Sequence, residues 1–416
     1  MRALLEESFR AAVAAADPLR ILAPHLPAPP KGRTFVVAAG KAAASMALAT
    51  EKNWSSNLEG IAITRYGHGL PTKRIRVVEA GHPVPDEAGE AAAREILQRV
   101  KELGKDDLLL ALLSGGGSSL LSLPAEGISM ADLKAVTTQL LRSGATIQEI
   151  NTVRKHLSAI HGGRLAAACR APVLALIISD VTGDDPTHIA SGPCAPDPTT
   201  CADALEVLQR YRIAAPPSVT LRLERCTDET PKPGDPVFSR VENRIVATAH
   251  RSLEAAAEAF RARRIEPVIL GDTITGEASE VAKVIAALAR EIRRFGSPFR
   301  APVALISGGE CTVTVRSERG RGGRCSEFLL SLAIELDAME QTWGIAADTD
   351  GIDGSEDNAG AVIAPDTLAR ARATGLQPKL LLSQNDSYGF FSALGDLVVT
   401  GPTRTNVNDY RVLLLL

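Results

Sequence analysis

Aromatic side chains are scarce in this sequence: Phe, Tyr and Trp make up 4% of its 416 residues, too few stacking platforms for a single-stranded nucleic-acid groove. A net charge of −3 and the lack of any long Lys/Arg block remove the basic footprint that DNA requires. No nucleic-acid partner is expected. No apolar run approaches the roughly 18 residues of a membrane span. Arg2, Glu6, Glu7 and Arg10 recur on a helical period through Met1–Ala16 and break up any signal-peptide core. The six cysteines, Cys169, Cys194, Cys201, Cys226, Cys311 and Cys325, show neither C-x-x-C spacing nor the density of a disulfide scaffold. A soluble, cytoplasmic protein in a reducing compartment is expected, with no membrane partner.

Several catalytic signatures are also missing. Gly40-Lys41 lacks both the upstream glycine and the following hydroxyl residue of a P-loop. Leu120 stands where a G-x-G-x-x-G run beginning at Gly115 would need its third glycine, and Cys325 does so after Gly320 and Gly322, which argues against a dinucleotide-binding dehydrogenase. There is no G-x-S-x-G nucleophile elbow, no H-E-x-x-H and no Cys/His quartet for zinc.

What is present is a set of buried-strand patterns that end in glycine or acid. Asp107–Ser122 reads DLLLALLSGGGSSLLS, an apolar run stopped by Ser114-Gly115-Gly116-Gly117-Ser118-Ser119. That is the pattern of a central parallel strand leading into a helix. Glycines at such a strand end let an anion approach the backbone, so Gly115, Gly116, Gly117, Ser118 and Ser119 are candidate phosphate-binding residues, or a tight turn only. Thr34–Ala39 is a second such strand, and it delivers Lys41 to a helix start, a placement that makes sense when an anion sits between lysine and helix. Val173–Ile178 is a third, ending in Ser179-Asp180-Val181-Thr182-Gly183-Asp184-Asp185. Asp180 and Asp184 are candidate Mg2+ ligands or turn formers. Arg154 and Lys155, near an apparent helix N-terminus, either hold an acidic substrate or are solvated. His82, in a Pro-rich loop, is expected to be structural.

From about Pro216 to Val237 the composition shifts toward Pro, Asp, Glu and Thr. A domain boundary is expected there, giving domains 1–235 and 236–416. In the second, Pro302–Ile306 ends in Ser307-Gly308-Gly309, echoing the first glycine loop, and Cys311–Arg316 alternates as a strand would. Arg321 and Arg324 lie in a glycine-flanked loop before a helix beginning near Phe328, and Asp348, Asp350 and Asp353 follow a short strand. The acids bind Mg2+ or hold the loop. The fold class is therefore α/β in both domains, with two glycine-ended strands able to face each other across a cleft. Glycine loops for phosphate, acids for Mg2+ and cations from two domains together suit phosphoryl transfer, which asks mainly for positioning and charge stabilisation.

The segments AAGKA (Ala38–Ala42), EAGHPVPDEAG (Glu79–Gly89), LLSGGGSSLL (Leu112–Leu121), INTVRKHLSAIHGGRLA (Ile150–Ala166), SDVTGDDPTHIASGPCAPDPTT (Ser179–Thr200), GGRCSEF (Gly322–Phe328), TDGIDG (Thr349–Gly354) and GPTRTNVNDY (Gly401–Tyr410) resemble those of the glycerate 2-kinases, two-domain enzymes with a C-terminal MOFRL domain. The resemblance runs over nearly the full length. It implies a Rossmann-like N-terminal domain with a mainly parallel sheet, a second α/β domain of MOFRL type, and an active site in the interdomain cleft. It also implies ATP-dependent phosphorylation of D-glycerate at the 2-hydroxyl, with a divalent metal, and Lys41 and Arg324 as the cations at the transferred phosphoryl. Ser307, Gly308 and Gly309 are expected at the nucleotide, Arg154, Lys155 and Asn406 at the substrate, and Asp180, Asp184 and Asp350 at the metal. Cys325-Ser326 replaces the amide pair usual in this family. Members have also carried the label hydroxypyruvate reductase, the alternative activity, with a non-catalytic nucleotide- or sugar-acid-binding sensor as a third reading. The homodimeric state is left open.

Overall fold

Residues 1–317 and 319–416 are described by a computed structural model. The chain divides into two compact units: a glycine-loop unit, Pro18–Val246, and a terminal unit in which Met1–Asp17 joins Ala247–Leu416. No helix among the described residues is long and apolar enough to cross a membrane.

The glycine-loop unit is built on six strands, β1 (Thr34–Ala39), β2 (Leu58–Arg65), β3 (Ile75–Ala80), β4 (Leu108–Leu113), β5 (Val173–Ile178) and β6 (Val241–Ala247), in the order β3-β2-β1-β4-β5-β6. Every pairing among β1 to β5 is parallel. Each residue of β1, β4 and β5 is buried, as strands covered by helices on both faces must be, which is why they read as unbroken apolar runs. All five parallel strands therefore deliver the loops that follow them to one carboxyl edge. Beyond the sheet lies a layer of helices, Met130–Arg142, Ile147–His156, Cys201–Arg210 and Pro217–Arg225, with its own apolar core around Leu133, Val153, Val207 and Leu223. Capping boxes at Ser129, Thr146 and Thr200 start three of these helices.

The terminal unit holds a mixed sheet. Its strands β7 (Glu266–Gly271), β9 (Val303–Ser307), β11 (Thr342–Asp348), β12 (Gly360–Ile363), β13 (Leu397–Val398) and β14 (Asp409–Leu415) run in the order β13-β12-β11-β14-β9-β7. Only β7 and β9 pair in parallel. A separate ribbon of two short strands pairs β8 (Gly276–Glu277) with β10 (Cys311–Thr312).

The division differs from the boundary expected near residue 235. The helix Arg2–Ala14 buries Leu4, Leu5, Phe9 and Ala12 against Phe260, Tyr410 and Leu414, so the N-terminus belongs with the C-terminal half. The Pro- and acid-rich segment contains the helix Pro217–Arg225, and the chain then supplies β6 to the first sheet, so the unit ends at Val246. The alternating pattern of Cys311–Arg316 becomes a strand only at Cys311–Thr312, and Val315 is exposed. Cys201 and Cys226 are joined by a disulfide, where a reducing compartment and no disulfide scaffold were expected. Helix packing brings together the first residue of one helix and the C-cap of the next, a closeness that spacing along the chain does not display.

Candidate active site

At the carboxyl edge of the parallel sheet, the loops after β1 and β4 are laced to each other. The Lys41 N–H donates to Gly115 O at 2.8 Å, the Ser114 N–H to Ala39 O at 3.0 Å, and the Ala42 N–H to Ser114 Oγ at 3.1 Å. Gly40, at φ +125°, is required by this closeness: a Cβ there would lie 2.2 Å from Ser114 Oγ. Gly116, at φ +81°, lies beneath two polar side chains, since a Cβ on it would meet His82 Nε2 at 2.9 Å and Lys41 Cγ at 3.4 Å. Lys41 and His82 thus share one spot above the glycine loop. His82 comes from the loop after β3, at the same edge, and its meeting with Lys41 is what sequence reasoning missed. The helix that follows the glycines runs only from Gly117 to Leu120, so its dipole is small and the side-chain cation is the main positive group at the loop.

Below the loop a polar chain continues inward. Ser191 Oγ lies 2.8 Å from Ser118 Oγ and donates to Asn151 Oδ1 at 3.1 Å. The Asn151 amide donates to His188 O at 3.1 Å, and Arg154 Nη1 reaches Asn151 Oδ1 at 3.4 Å. A small cavity here is lined by Ser118, Ser119, Ser122, Thr137, Arg154 and His161. Among the described residues no carboxylate pairs with Arg154, and burial lowers its pKa to about 10. Burial, with the Arg154 charge adding to it, pushes His161 down to about 3 and keeps it neutral. Arg154 and Lys155 sit in the last turn of the helix Ile147–His156, and not at a helix N-terminus as expected. Lys155 is also withdrawn from any substrate: it is fully buried and donates to Asp197 Oδ1 at 2.6 Å.

In the terminal unit, antiparallel register sets Asp348, at the end of β11, opposite Asp409, at the start of β14. Arg324 spans both carboxylates, with Nη2 2.7 Å from Asp348 Oδ2 and Nε 2.7 Å from Asp409 Oδ1. Nη1 meets the exposed carboxylate of Glu310 at 3.0 Å. Although burial opposes the charge, Asp409, Asp348 and Glu310 together raise the guanidinium pKa well above its ordinary value. The helix expected from Phe328 begins at Arg324, because the Asp353 carboxylate accepts from the Cys325 and Ser326 N–H groups at 2.9 and 2.8 Å and caps it. Burial drives Asp353 up to about 6 despite these bonds. Arg324 is therefore a rigid first-turn residue and Arg321 the loop residue, lying over the Tyr388 ring. Cys325 is buried in the apolar core, and Ser326 Oγ bonds Ser387 Oγ at 2.9 Å.

The remaining expected residues lie as follows. Gly308 and Gly309 pack against backbone: Gly308 N–H donates to Gly271 O at 2.8 Å, and a Cβ on Gly309 would lie 2.3 Å from Ile274 O. Ser307 is buried at the end of β9. Asn406 is buried, and its Oδ1 accepts from the Asn408 N–H at 3.3 Å. Asp350 is buried, with Oδ1 accepting from the Ile352 N–H at 2.9 Å. Asp180 and Asp184 are partly exposed in the loop after β5. Hard carboxylate oxygens suit Mg2+, which takes one or two carboxylates and completes its shell with water and phosphate. Asp180 and Asp184 are partly exposed, as carboxylates that share a cation with water would be, whereas Asp350 is buried.

Two family models match the chain: the domain of unknown function DUF4147 over residues 4–224 and the MOFRL family over residues 303–409. A glycerate 2-kinase of Pyrococcus horikoshii is 42% identical over 385 residues, covering 91% of this chain and 86% of its own. The chain belongs to the glycerate 2-kinase family. A solved glycerate kinase structure from Thermotoga maritima superposes on it with a TM-score of 0.88 at 39% identity, over 100% of this chain and 99% of that one. An Agrobacterium vitis relative, 52% identical over 417 residues and covering 100% of this chain and 94% of its own, bears the provisional name hydroxypyruvate reductase. In this chain Gly40-Lys41 and Ser114–Gly117 form the glycine loops described above, and Arg324 lies in the segment that matches the MOFRL family.

Proposed function

We propose that the protein transfers the γ-phosphoryl group of ATP to the 2-hydroxyl of D-glycerate, forming 2-phosphoglycerate and ADP, with Mg2+ as cofactor, in the cytoplasm. The observation that carries this reading is Arg154. A partly buried guanidinium without a carboxylate partner is costly unless an anion meets it. Here it lines one small cavity with Ser118, Ser119 and Ser122, a setting suited to a small hydroxy acid. Relatives named glycerate 2-kinase at 42% identity and D-glycerate 2-kinase at 40% support the same substrate.

In this reading Arg154 binds the substrate carboxylate, and Ser191, Asn151 and Ser118 orient its hydroxyls. Gly115, Gly116 and Gly117 let phosphate oxygens approach the backbone, and Lys41 neutralises charge on the transferred group. Arg324 is proposed as a catalytic cation of the terminal unit. Asp348 and Asp409 fix its plane, while Nη1 faces the exposed Glu310, the partner most easily exchanged for an anion. Mg2+, held by Asp180 and Asp184, would supply charge neutralisation on the phosphate oxygens. The Ser307 loop and Asn406 remain candidates for nucleotide and substrate contact.

The test follows ADP release with ATP, Mg2+ and D-glycerate, beside NADH oxidation with hydroxypyruvate. Glycerate-dependent ADP release without NADH oxidation is expected. NADH oxidation without ADP release would establish the reductase reading instead. Lys41→Ala and Arg324→Ala should each lower kcat, on the order of 10³-fold for the arginine, and Arg324→Lys should restore only part because a point charge lacks the forked contact.

A further inference from the structure

Away from the glycine loop, four side chains with metal-binding atoms meet where three helices of the outer layer end. His156 closes the helix Ile147–His156, Cys201 opens Cys201–Arg210, and Cys226 caps Pro217–Arg225. Glu229 follows three residues later. His156 Nε2 is 2.8 Å from Glu229 Oε1, and Cys226 Sγ is 3.3 Å from Glu229 Oε2. Ligand atoms of His156, Cys201 and Glu229 all lie within 4.8 Å of one another. A disulfide staple would need only the two sulfurs. The imidazole and carboxylate converging on them add nothing to an S–S bond, yet with the two sulfurs they make four donors.

We propose that, once the Cys201–Cys226 disulfide is reduced, Cys201, Cys226, His156 and Glu229 bind one thiophilic divalent cation of the zinc class. Two thiolates, an imidazole and a carboxylate are the donors such a cation selects, and magnesium does not. The histidine already has the orientation of a ligand. Its Nδ1 is 2.8 Å from Thr152 O, so an Nδ1 proton goes to that carbonyl, and Nε2, beside Glu229 and within 4.8 Å of the Cys201 sulfur, is the ring atom left for a cation. Glu229 accepts from the Cys201 and Thr230 N–H groups at 3.1 and 2.9 Å, which fixes its carboxylate beside the cluster. Charges also balance. With a divalent cation bound, the positive charges of Lys155 and Lys232 join it against two thiolates, Glu229 and Asp197. The Cα atoms of the two cysteines are 6.0 Å apart, a separation that serves a disulfide and leaves room for the sulfurs to part around a metal.

The conversion balances as follows. A water-soluble phosphine takes the oxygen of one water, the S–S bond breaks, and the two sulfurs gain two electrons and two protons as thiols. Metal binding then releases both thiol protons. The test reduces the full-length protein with such a phosphine under anaerobic conditions and titrates it with Co2+. Reduced wild type should bind one Co2+ with the sulfur-to-cobalt charge-transfer and strong visible bands of a tetrahedral thiolate site. Zn2+ should bleach them and excess Mg2+ should not. Unreduced protein should show neither band. Glu229→Gln should weaken Co2+ binding by at least about tenfold, and Cys201→Ser/Cys226→Ser, checked for folding by circular dichroism, should abolish the charge-transfer bands. Only pale octahedral Co2+ in the reduced wild type, bands in the unreduced protein, or bands surviving in the double variant would each overturn the site.

Discussion

Arg154 and Lys155 are chemically alike and adjacent, yet the fold gives them opposite roles. The roughly 100° step between neighbours on a helix places Lys155 on the buried Asp197 and Arg154 in the serine-lined cavity. Arg154→Gln should raise the KM for D-glycerate about 10- to 100-fold, the loss of a charge-assisted hydrogen bond, with a smaller change in kcat. Steady-state kinetics at varied glycerate checks this, and an unchanged KM would remove Arg154 from the substrate. Lys155→Met should leave Asp197 as an uncompensated buried charge and cost about 3–5 kcal/mol in urea unfolding, with part regained in Lys155→Met/Asp197→Leu. A loss below about 1 kcal/mol would contradict the buried-pair assignment. The sequence shows two cations side by side; it cannot show the helix phase or Asp197, which lies 42 residues away. The place of Lys41 at a strand end was more legible, because the buried apolar strand Thr34–Ala39 runs straight into it. His82 was legible only as a loop residue, since its neighbour across the site comes from another strand.

At the scale of elements, strands buried on both faces announced themselves: β1, β4 and β5 are unbroken apolar runs, and their ends carry the loops of the site. Helix starts with a side-chain cap close in sequence, such as Ser129 with Asp132, were equally plain. The start at Arg324 was not, because its capping carboxylate, Asp353, comes from 27 residues downstream of Ser326. The N-terminal helix was recognisable as a helix but not as part of the terminal unit, since its partners lie some 400 residues away. Phe9 is fully buried there, its ring 5.8 Å from that of Tyr410. Phe9→Ala should therefore destabilise the terminal unit by about 3–5 kcal/mol. Urea unfolding followed by hydrogen exchange should locate the loss at β11 and β14, and a loss confined to the glycine-loop unit would contradict the division.

For the whole molecule, the family likeness covers both units, and the alternative activity rests on names carried by relatives. The two activities make different demands on the protein. A reductase needs a dinucleotide crevice, and the β1 turn here is Gly40-Lys41-Ala42, closed by Ser114, without the glycine fingerprint. A kinase needs cations placed for a phosphoryl group, and the carboxyl edge of the parallel sheet holds Lys41 over the glycine loop. The two readings also leave different atoms on the product. Phosphorus NMR of the reaction of purified protein with ATP, Mg2+ and D-glycerate therefore separates them in one measurement. Transfer to the 2-hydroxyl predicts a new phosphomonoester coupled to the proton on C2 of glycerate, growing in step with ADP. A phosphomonoester at C3, or no new phosphoester while NADH and hydroxypyruvate are consumed, would contradict it.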